Sequence, residues 1–281
     1  MDSESKITAR YLRILSYSVL AFTLAFLINN VLTVWVDWPG VKKIFSHYEL
    51  FGFKQKALQG SELNYGYLQI GIYLICIAGV ILYVFKTYSQ TLEHDSEILS
   101  KFSAYLVRSS FWAVFLVGVA DFIISFMVVE RLWEAIFSPE VKAFMVKAPE
   151  RITFIHFPII LGSFIIGYFT KSVGFIWLAV LVVLSEFVIV LSRFIFSYEQ
   201  AFQGDLVRFW YAALYLFASA YALIHEGHVR VDVLYSSFSE RKKAWTNSIG
   251  SALLGVPLCL IVIFYGLNGK ASIINGPVVA F

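Results

Sequence analysis

Charged residues are scarce in this chain, and their scarcity excludes several classes of protein. Only 15% of its 281 residues are charged, against about 25% in an ordinary globular protein. The formal net charge is +3, and no basic run is longer than Arg241–Lys243. A nucleic-acid-binding surface is therefore not expected. A disordered linker is excluded too, because such chains carry few aromatic residues.

Cysteines are nearly absent as well. Cys76 and Cys259 both lie in apolar runs, where they are interpreted as packing residues rather than as part of a secreted disulfide scaffold. The nucleophile elbow, the phosphate-binding P-loop, the zinc-protease helix and the glycine-rich dinucleotide loop are also missing. We predict no catalytic residue, no metal ligand and no cofactor, and the chain is not expected to be an enzyme.

Apolar residues are abundant instead. They make up 59% of the chain, which includes 27 Phe, 16 Tyr and 7 Trp. A soluble domain of this size would expose much of that surface to water, and large exposed apolar patches are rare in soluble monomers. The composition therefore predicts a protein whose main solvent is membrane lipid.

Seven apolar runs are long enough to cross a bilayer, which takes about 20 residues of helix. The first is interpreted as a retained span because no small-residue cleavage site follows it. The fold class predicted is all-α, a polytopic helical membrane protein of about seven transmembrane helices plus interfacial amphipathic helices. The predicted spans are Tyr11–Val36, Tyr65–Lys86, Phe102–Val129, Ile152–Phe169, Val173–Phe196, Leu206–His225 and Trp245–Leu267.

Three connections between the spans are informative. Val41–Glu62 and Glu130–Glu150 mix charged residues with large apolar ones, which favours amphipathic segments on the membrane surface. Thr87–Lys101 is the most polar stretch and is predicted to be an aqueous loop. Lysines and arginines divide almost evenly between the two sides, so their totals do not fix the orientation. Arg241–Lys243 is the densest basic cluster beside a span.

Ionisable side chains inside spans are costly and are candidates for function. Asp121 lies deep in the third predicted span, and Glu186 lies midway along the fifth. Arg193 is seven residues after Glu186, on roughly the same helical face. Two interpretations of the acids stay open: an ion or proton pathway, or polar contacts between helices or with a partner subunit.

The stretch between the last two predicted spans is the most distinctive. If it is helical, Val231, Leu234, Tyr235 and Phe238 form one apolar stripe. This pattern favours a short amphipathic helix in the membrane plane, and a solvated loop is the alternative. The sequence Ser237-x-x-Glu240 is typical of a capping box that begins the next helix.

This stretch resembles a known family. The run His228-Val-Arg-Val-Asp232-Val-Leu-Tyr, followed by Ser239-x-Arg-Lys-Lys-Ala-Trp and a span containing a proline, resembles the small membrane subunit, DctQ type, of the tripartite ATP-independent periplasmic (TRAP) transporters. Ser192-Arg193-Phe194-Ile195-Phe196 is similar to the end of that family's first span. The resemblance covers about Val173–Gly266.

The resemblance implies a non-enzymatic role in the bacterial inner membrane. The small subunit would brace a large membrane subunit during sodium-coupled uptake of small organic acids, which a periplasmic substrate-binding protein delivers. His228, Arg230 and Asp232 would orient the in-plane helix near the cytoplasmic surface, and Arg193 would contact the large subunit. The N-terminus would then be cytoplasmic.

The rest of the chain departs from the family. Residues 1–170 form a predicted N-terminal extension of about four transmembrane helices. Residues 171–281 form the TRAP small-subunit-like domain, with three transmembrane helices and the in-plane helix, and the family's last helix is expected to be missing. The alternative hypothesis is an autonomous seven-helix ion-coupled transporter or sensor that uses Asp121 and Glu186.

Overall fold

The computed structural model describes residues 3–54, 57–171, 175–198, 201–224 and 234–275, and these residues contain helices and turns but no strand. The α-helices are α1 Ser3–Trp35, α2 Val41–His47, α3 Ser61–Lys86, α4 Leu92–Val129, α5 Trp133–Ile136, α6 Pro139–Val146, α7 Ala148–Arg151, α8 Phe157–Phe169, α9 Phe175–Phe196, α10 Ala201–Ile224, α11 Glu240–Gly250 and α12 Val256–Gly266.

The predicted fold class is confirmed. Six helical segments within the described residues are long and apolar enough to cross a membrane, namely Ile7–Trp35, Ser61–Lys86, Leu92–Val129, Ile152–Phe169, Ile176–Ile195 and Glu240–Gly266. The remaining predicted span, Leu206–His225, falls on α10, which is helical but is not among the six. Gln203, Asp205 and Arg208 make the beginning of α10 polar.

The prediction of an aqueous loop over Thr87–Lys101 is wrong from Leu92 onwards, because α4 begins at Leu92. Thr91 Oγ1 accepts a hydrogen bond from the backbone N–H of His94 at 3.2 Å, which satisfies one of the free donors at the start of the helix. Glu93 and Asp95 lie in the first turn, where negative charge is favourable. The polar residues therefore begin a helix instead of forming a loop.

The two predicted interfacial segments are only partly helical. Within Val41–Glu62 the α-helical parts are α2 and the first two residues of α3. Glu130–Glu150 contains α5, α6 and the first residues of α7, and α6 begins with Pro139 after the N-cap residue Ser138. A proline is favourable at this position because the first helical N–H has no partner within the helix.

Two of the span helices contain a π-helical turn next to a proline. Ile152–His156 joins α7 to α8, and Pro158 follows it. Ser251–Gly255 joins α11 to α12 in the same way, ahead of Pro257. Proline donates no backbone hydrogen bond and its ring crowds the preceding turn. Widening that turn to i→i+5 bonding allows each helix to continue past its proline.

The chain divides into two compact units. The first contains Met1–Asp95 and Asp232–Phe281. Here α1 packs against α3 and α12 through aromatic contacts, among them Phe22 with Tyr73 and Phe26 with Phe264. Both ring pairs meet at tilted or perpendicular angles, as aromatic side chains prefer.

A buried amide fixes the turn after α1. Gln69 of α3 is fully buried; its Oε1 accepts a hydrogen bond from the N–H of Gly40 at 2.8 Å, and its Nε2 donates to Thr33 Oγ1 at 3.1 Å. Gly40 has a φ of 80°, a conformation that favours glycine. These bonds join the end of α1 and the start of α2 to α3.

The second unit is Ser96–Val231, and its core lies between α4, α9 and α10. The fully buried core side chains include Phe111 and Leu178. Gly167 of α8 lies against Ser109 of α4, so closely that a β-carbon there would be 2.3 Å from Ser109 Oγ. Gly118 of α4 faces the indole of Trp210 with similar closeness. The two glycines allow neighbouring helices to approach at short range.

Candidate functional site

The residues predicted to orient the in-plane helix, His228, Arg230 and Asp232, lie outside the described residues. The structure resumes at Leu234 with a 3₁₀ turn, Tyr235–Ser237, followed by α11. The predicted capping box at Ser237 is wrong. Ser239 is the N-cap residue, and the Ser237 hydroxyl donates to the carbonyl of Leu234 at 2.7 Å. The extended backbone of Phe238 and Ser239 therefore displaces the helix start from the box.

The basic cluster lies at the beginning of α11. Lys243 Nζ is 3.0 Å from Glu240 Oε1 and 5.9 Å from the centre of the Tyr235 ring. Asn247 donates a hydrogen bond to the Tyr235 hydroxyl at 2.8 Å. These contacts hold the 3₁₀ turn against α11. An open cleft of about 470 Å³ adjoins the cluster, lined by Phe238, Ser239, Arg241, Lys242, Trp245 and Thr246.

Asp121, one of the two predicted intramembrane acids, has basic neighbours in the second unit. Its Oδ1 accepts a hydrogen bond from Arg151 Nη1 at 3.2 Å, and His156 Nε2 lies 2.9 Å from the same oxygen. Arg151 Nε also donates to the carbonyl of Met145 at 3.0 Å. The side chains of Arg151, Asp121 and His156 are 18%, 23% and 16% exposed. We call these three residues the Asp121 cluster.

The π turn explains how two side chains of one helix reach the same carboxylate oxygen. Arg151 and His156 are five residues apart, which in an α-helix places them about 140° apart around the axis. In a π turn, residues i and i+5 are hydrogen-bonded neighbours. The turn at Ile152–His156 therefore brings both basic side chains to the side of the helix that faces Asp121.

In the Asp121 cluster, the guanidinium of Arg151 can neutralise the carboxylate of Asp121 at the depth of a span. The parts of the chain that the structure describes hold no group of three His, Cys, Asp or Glu side chains able to bind a metal ion.

Glu186, the other predicted acid, has a different environment. It lies on the exposed side of α9, and within the described residues it makes no hydrogen bond or ion pair. Arg193 is also exposed on α9 and takes part in an interaction. The structure therefore places a basic partner beside Asp121 but does not bring Glu186 into that cluster.

Sequence reasoning missed a buried ion pair in the first unit. The side chains of Arg13 in α1 and Asp95 in α4 are 3% and 5% exposed. Arg13 Nε donates to Asp95 Oδ2 at 2.5 Å and Nη2 to Oδ1 at 3.2 Å. Arg13 also donates to the carbonyl oxygen and the hydroxyl of Thr87. We call Arg13, Thr87 and Asp95 the Asp95 cluster. The N-cap signal at Thr91 could have indicated that Asp95 belongs to a helix.

One ion pair on the surface lowers the pKa of its acidic member. Glu134 of α5 accepts a hydrogen bond from Lys142 of α6 at 2.5 Å. The hydrogen bond and the charge of Lys142 lower the pKa of Glu134, and the charge of Arg131 lowers it further. The pair links the two short helices between α4 and α7.

The six apolar helices define a multi-pass helical membrane protein. Within that class, residues 182–279 match the family model described as "Tripartite ATP-independent periplasmic transporters, DctQ component". The resemblance found in the sequence is confirmed for this part of the chain, which is similar to the small permease component of TRAP transporters.

The match begins within α9 and contains α10, α11 and α12. The DctQ family is a transporter component rather than an enzyme, and in TRAP systems it works with a large membrane subunit and a substrate-binding protein. No curated protein and no solved structure matches the chain. The predicted domain boundary at residues 170 and 171 stays a prediction.

Proposed function

We propose that this protein is the small permease subunit of a TRAP-type secondary transporter, in which it braces the large membrane subunit. The match of residues 182–279 to the DctQ component carries the proposal. The six apolar helices support it, because a bracing subunit must lie in the membrane alongside its partner.

The transport reaction proposed is sodium-coupled uptake of small organic acids, delivered to the large subunit by a periplasmic substrate-binding protein. This part of the proposal rests on the family resemblance. The bacterial inner membrane is the proposed location, with the N-terminus in the cytoplasm. Arg241–Lys243, at the beginning of the last apolar segment, supports a cytoplasmic position for that end of the segment because basic clusters favour the cytoplasmic side. Five of the six apolar segments precede this cluster, so a cytoplasmic N-terminus requires that α10 also crosses the membrane.

Residues 1–170 are proposed to be an extension that enlarges the scaffold. Four apolar helices support an extension that lies in the membrane, and four spans were predicted ahead of the family region. They are Ile7–Trp35, Ser61–Lys86, Leu92–Val129 and Ile152–Phe169. Extra helices can supply contacts to the large subunit or to surrounding lipid.

His228, Arg230 and Asp232 are proposed as orienting groups of the in-plane helix, and Arg193 as a contact with the large subunit. Their charges would fix this helix at the membrane surface, where polar groups stay solvated. Replacing Asp232 by alanine should weaken packing between the subunits rather than any chemical step. A complex of the Asp232→Ala chain with unchanged assembly and uptake would contradict this assignment.

The experiment that tests the function is co-expression of the tagged chain with a large TRAP membrane subunit. We expect the two to co-purify in mild detergent, and we expect uptake in proteoliposomes only when both are present with the binding protein. The tagged chain expressed without its partner is the control. Uptake by this chain alone would contradict the proposal and support the autonomous transporter.

A further inference from the structure

The exposed surface of α9 carries a carboxylate near the middle of the membrane. Glu186 lies midway between Ile176 and Ile195, the ends of an apolar span. At about 1.5 Å of rise per residue it is roughly 14 Å from either end. The hydrocarbon core is about 30 Å thick, so the side chain is too short to reach water past the span ends.

Nothing in the described chain compensates this charge. Glu186 is exposed and makes no hydrogen bond or ion pair within the described residues, whereas the carboxylate of Asp121 meets Arg151 and His156. Charged groups inside membranes almost always face a protein interior or a water-filled cavity and pair there. The exposed face of α9 is therefore a candidate contact surface for a partner that carries the opposite charge.

The neighbours of Glu186 on the helix form a continuous surface. Three exposed side chains of α9 lie next to Glu186 or one helical turn away from it. They are Val183, Phe187 and Val190, which are 65%, 57% and 50% exposed. Another side of α9 is occupied, because Leu178 and Ile189 are buried in the core of the second unit. We call Val183, Glu186, Phe187 and Val190 the α9 face.

We propose that the α9 face docks against a membrane helix of the large transporter subunit that carries a lysine or arginine side chain at the depth of Glu186. This inference rests on the proposed function. It adds the docking surface and the chemistry of the partner. A basic side chain would neutralise the carboxylate where water cannot, and apolar side chains around the pair would exclude lipid.

A second copy of this chain fits the α9 face less well. Copies inserted in one membrane share one orientation, so a twofold contact through this face would bring Glu186 to the depth of its own equivalent. Like charges at one depth repel each other. Arg193 of a second copy would lie about 10 Å away along the helix axis, because it is seven residues further along α9.

The test measures binding of the full chain to the purified large subunit in nanodiscs of phosphatidylcholine and phosphatidylglycerol. Glu186→Gln keeps the shape but removes the charge, and we expect binding roughly tenfold weaker; Glu186→Lys should weaken it by about 100-fold or more. Leu184→Gln is the matched control. It adds an amide at a depth similar to that of Glu186 but about 160° away from it around the helix axis. Leu184 is 52% exposed. We expect this control to stay within about twofold of the parent chain.

Folding is separated from docking with Glu186→Leu. Because Glu186 is exposed and has no ion pair or hydrogen bond among the described residues, the Glu186→Leu chain should unfold at a temperature equal to or above that of the parent, and still lose binding. Wild-type-like binding by Glu186→Gln and Glu186→Leu would overturn the docking inference and leave the proposed function standing. A parent chain that does not bind the large subunit would overturn both. Self-association that Glu186→Gln abolishes would replace the proposed partner by a second copy.

Discussion

The Asp95 and Asp121 clusters both join a carboxylate to an arginine, but they differ in how fully the protein encloses them. Arg13 and Asp95 are 3% and 5% exposed, whereas Arg151 and Asp121 are 18% and 23% exposed. Arg13 uses all three of its guanidinium nitrogens on protein acceptors. The second cluster is more open and includes a histidine.

The degree of burial decides how much stability is lost when one member of an ion pair is removed. Removing one member of a closed pair leaves a buried charge without a partner, a change that costs much more than the pair itself contributes. In an open cluster, water or a rotated side chain can compensate part of the loss. We therefore expect the Asp95 cluster to stabilise the fold and the Asp121 cluster to tolerate changes in charge.

The largest effect is expected from Arg13→Met, which removes the cation and leaves the carboxylate of Asp95 buried. Destabilisation of about 3–5 kcal/mol is expected, measured by thermal or denaturant unfolding in detergent. Lys101→Met is the control, because Lys101 is 80% exposed and its pair with Glu97 lies on the surface. A loss of stability in Arg13→Met no larger than that in Lys101→Met would show that enclosing the Arg13–Asp95 pair does not increase its contribution to stability.

A smaller effect is expected from Asp121→Asn. The amide still accepts a hydrogen bond but no longer neutralises Arg151, so we expect a loss of about 1–2 kcal/mol in unfolding. Uptake by the assembled transporter should be retained if Asp121 makes polar contacts between helices. Loss of uptake with normal assembly would instead support a pathway for ions or protons through Asp121, as in the alternative function.

The smallest effect is expected at Glu134, in a surface pair. Its pKa is lowered in the folded chain by Lys142, so the pair stabilises the fold above the ordinary glutamate pKa, about 4.3. That contribution is lost as the pH falls through the lowered pKa. Lys142→Met should raise the pKa of Glu134 towards its ordinary value, measured by NMR titration. An unchanged pKa would show that Lys142 is not the cause.

Sequence reasoning succeeded where single runs of residues carry the signal. Apolar runs predicted helices at the six spans, and a local motif predicted the similarity of residues 182–279 to the DctQ component. It failed at Asp95, which was placed in an aqueous loop, because its partner Arg13 lies 82 residues away along the sequence. Asp121 was selected as an intramembrane acid, but the sequence did not indicate Arg151 as its partner. Pairing over such separations depends on helix packing, which one sequence does not display.

The π turns have a further consequence for comparing this chain with its relatives. Each turn holds one residue more than an α-helical turn, so the helix beyond it is rotated by about 100° relative to an uninterrupted helix. Deleting one residue from Ile152–His156 while replacing Pro158 would remove that offset and rotate α8 as a whole. A relative with a one-residue deletion there would then present a different side of α8 to Ser109. A gap at either proline in an alignment would therefore indicate a rotated helix rather than a change in loop length.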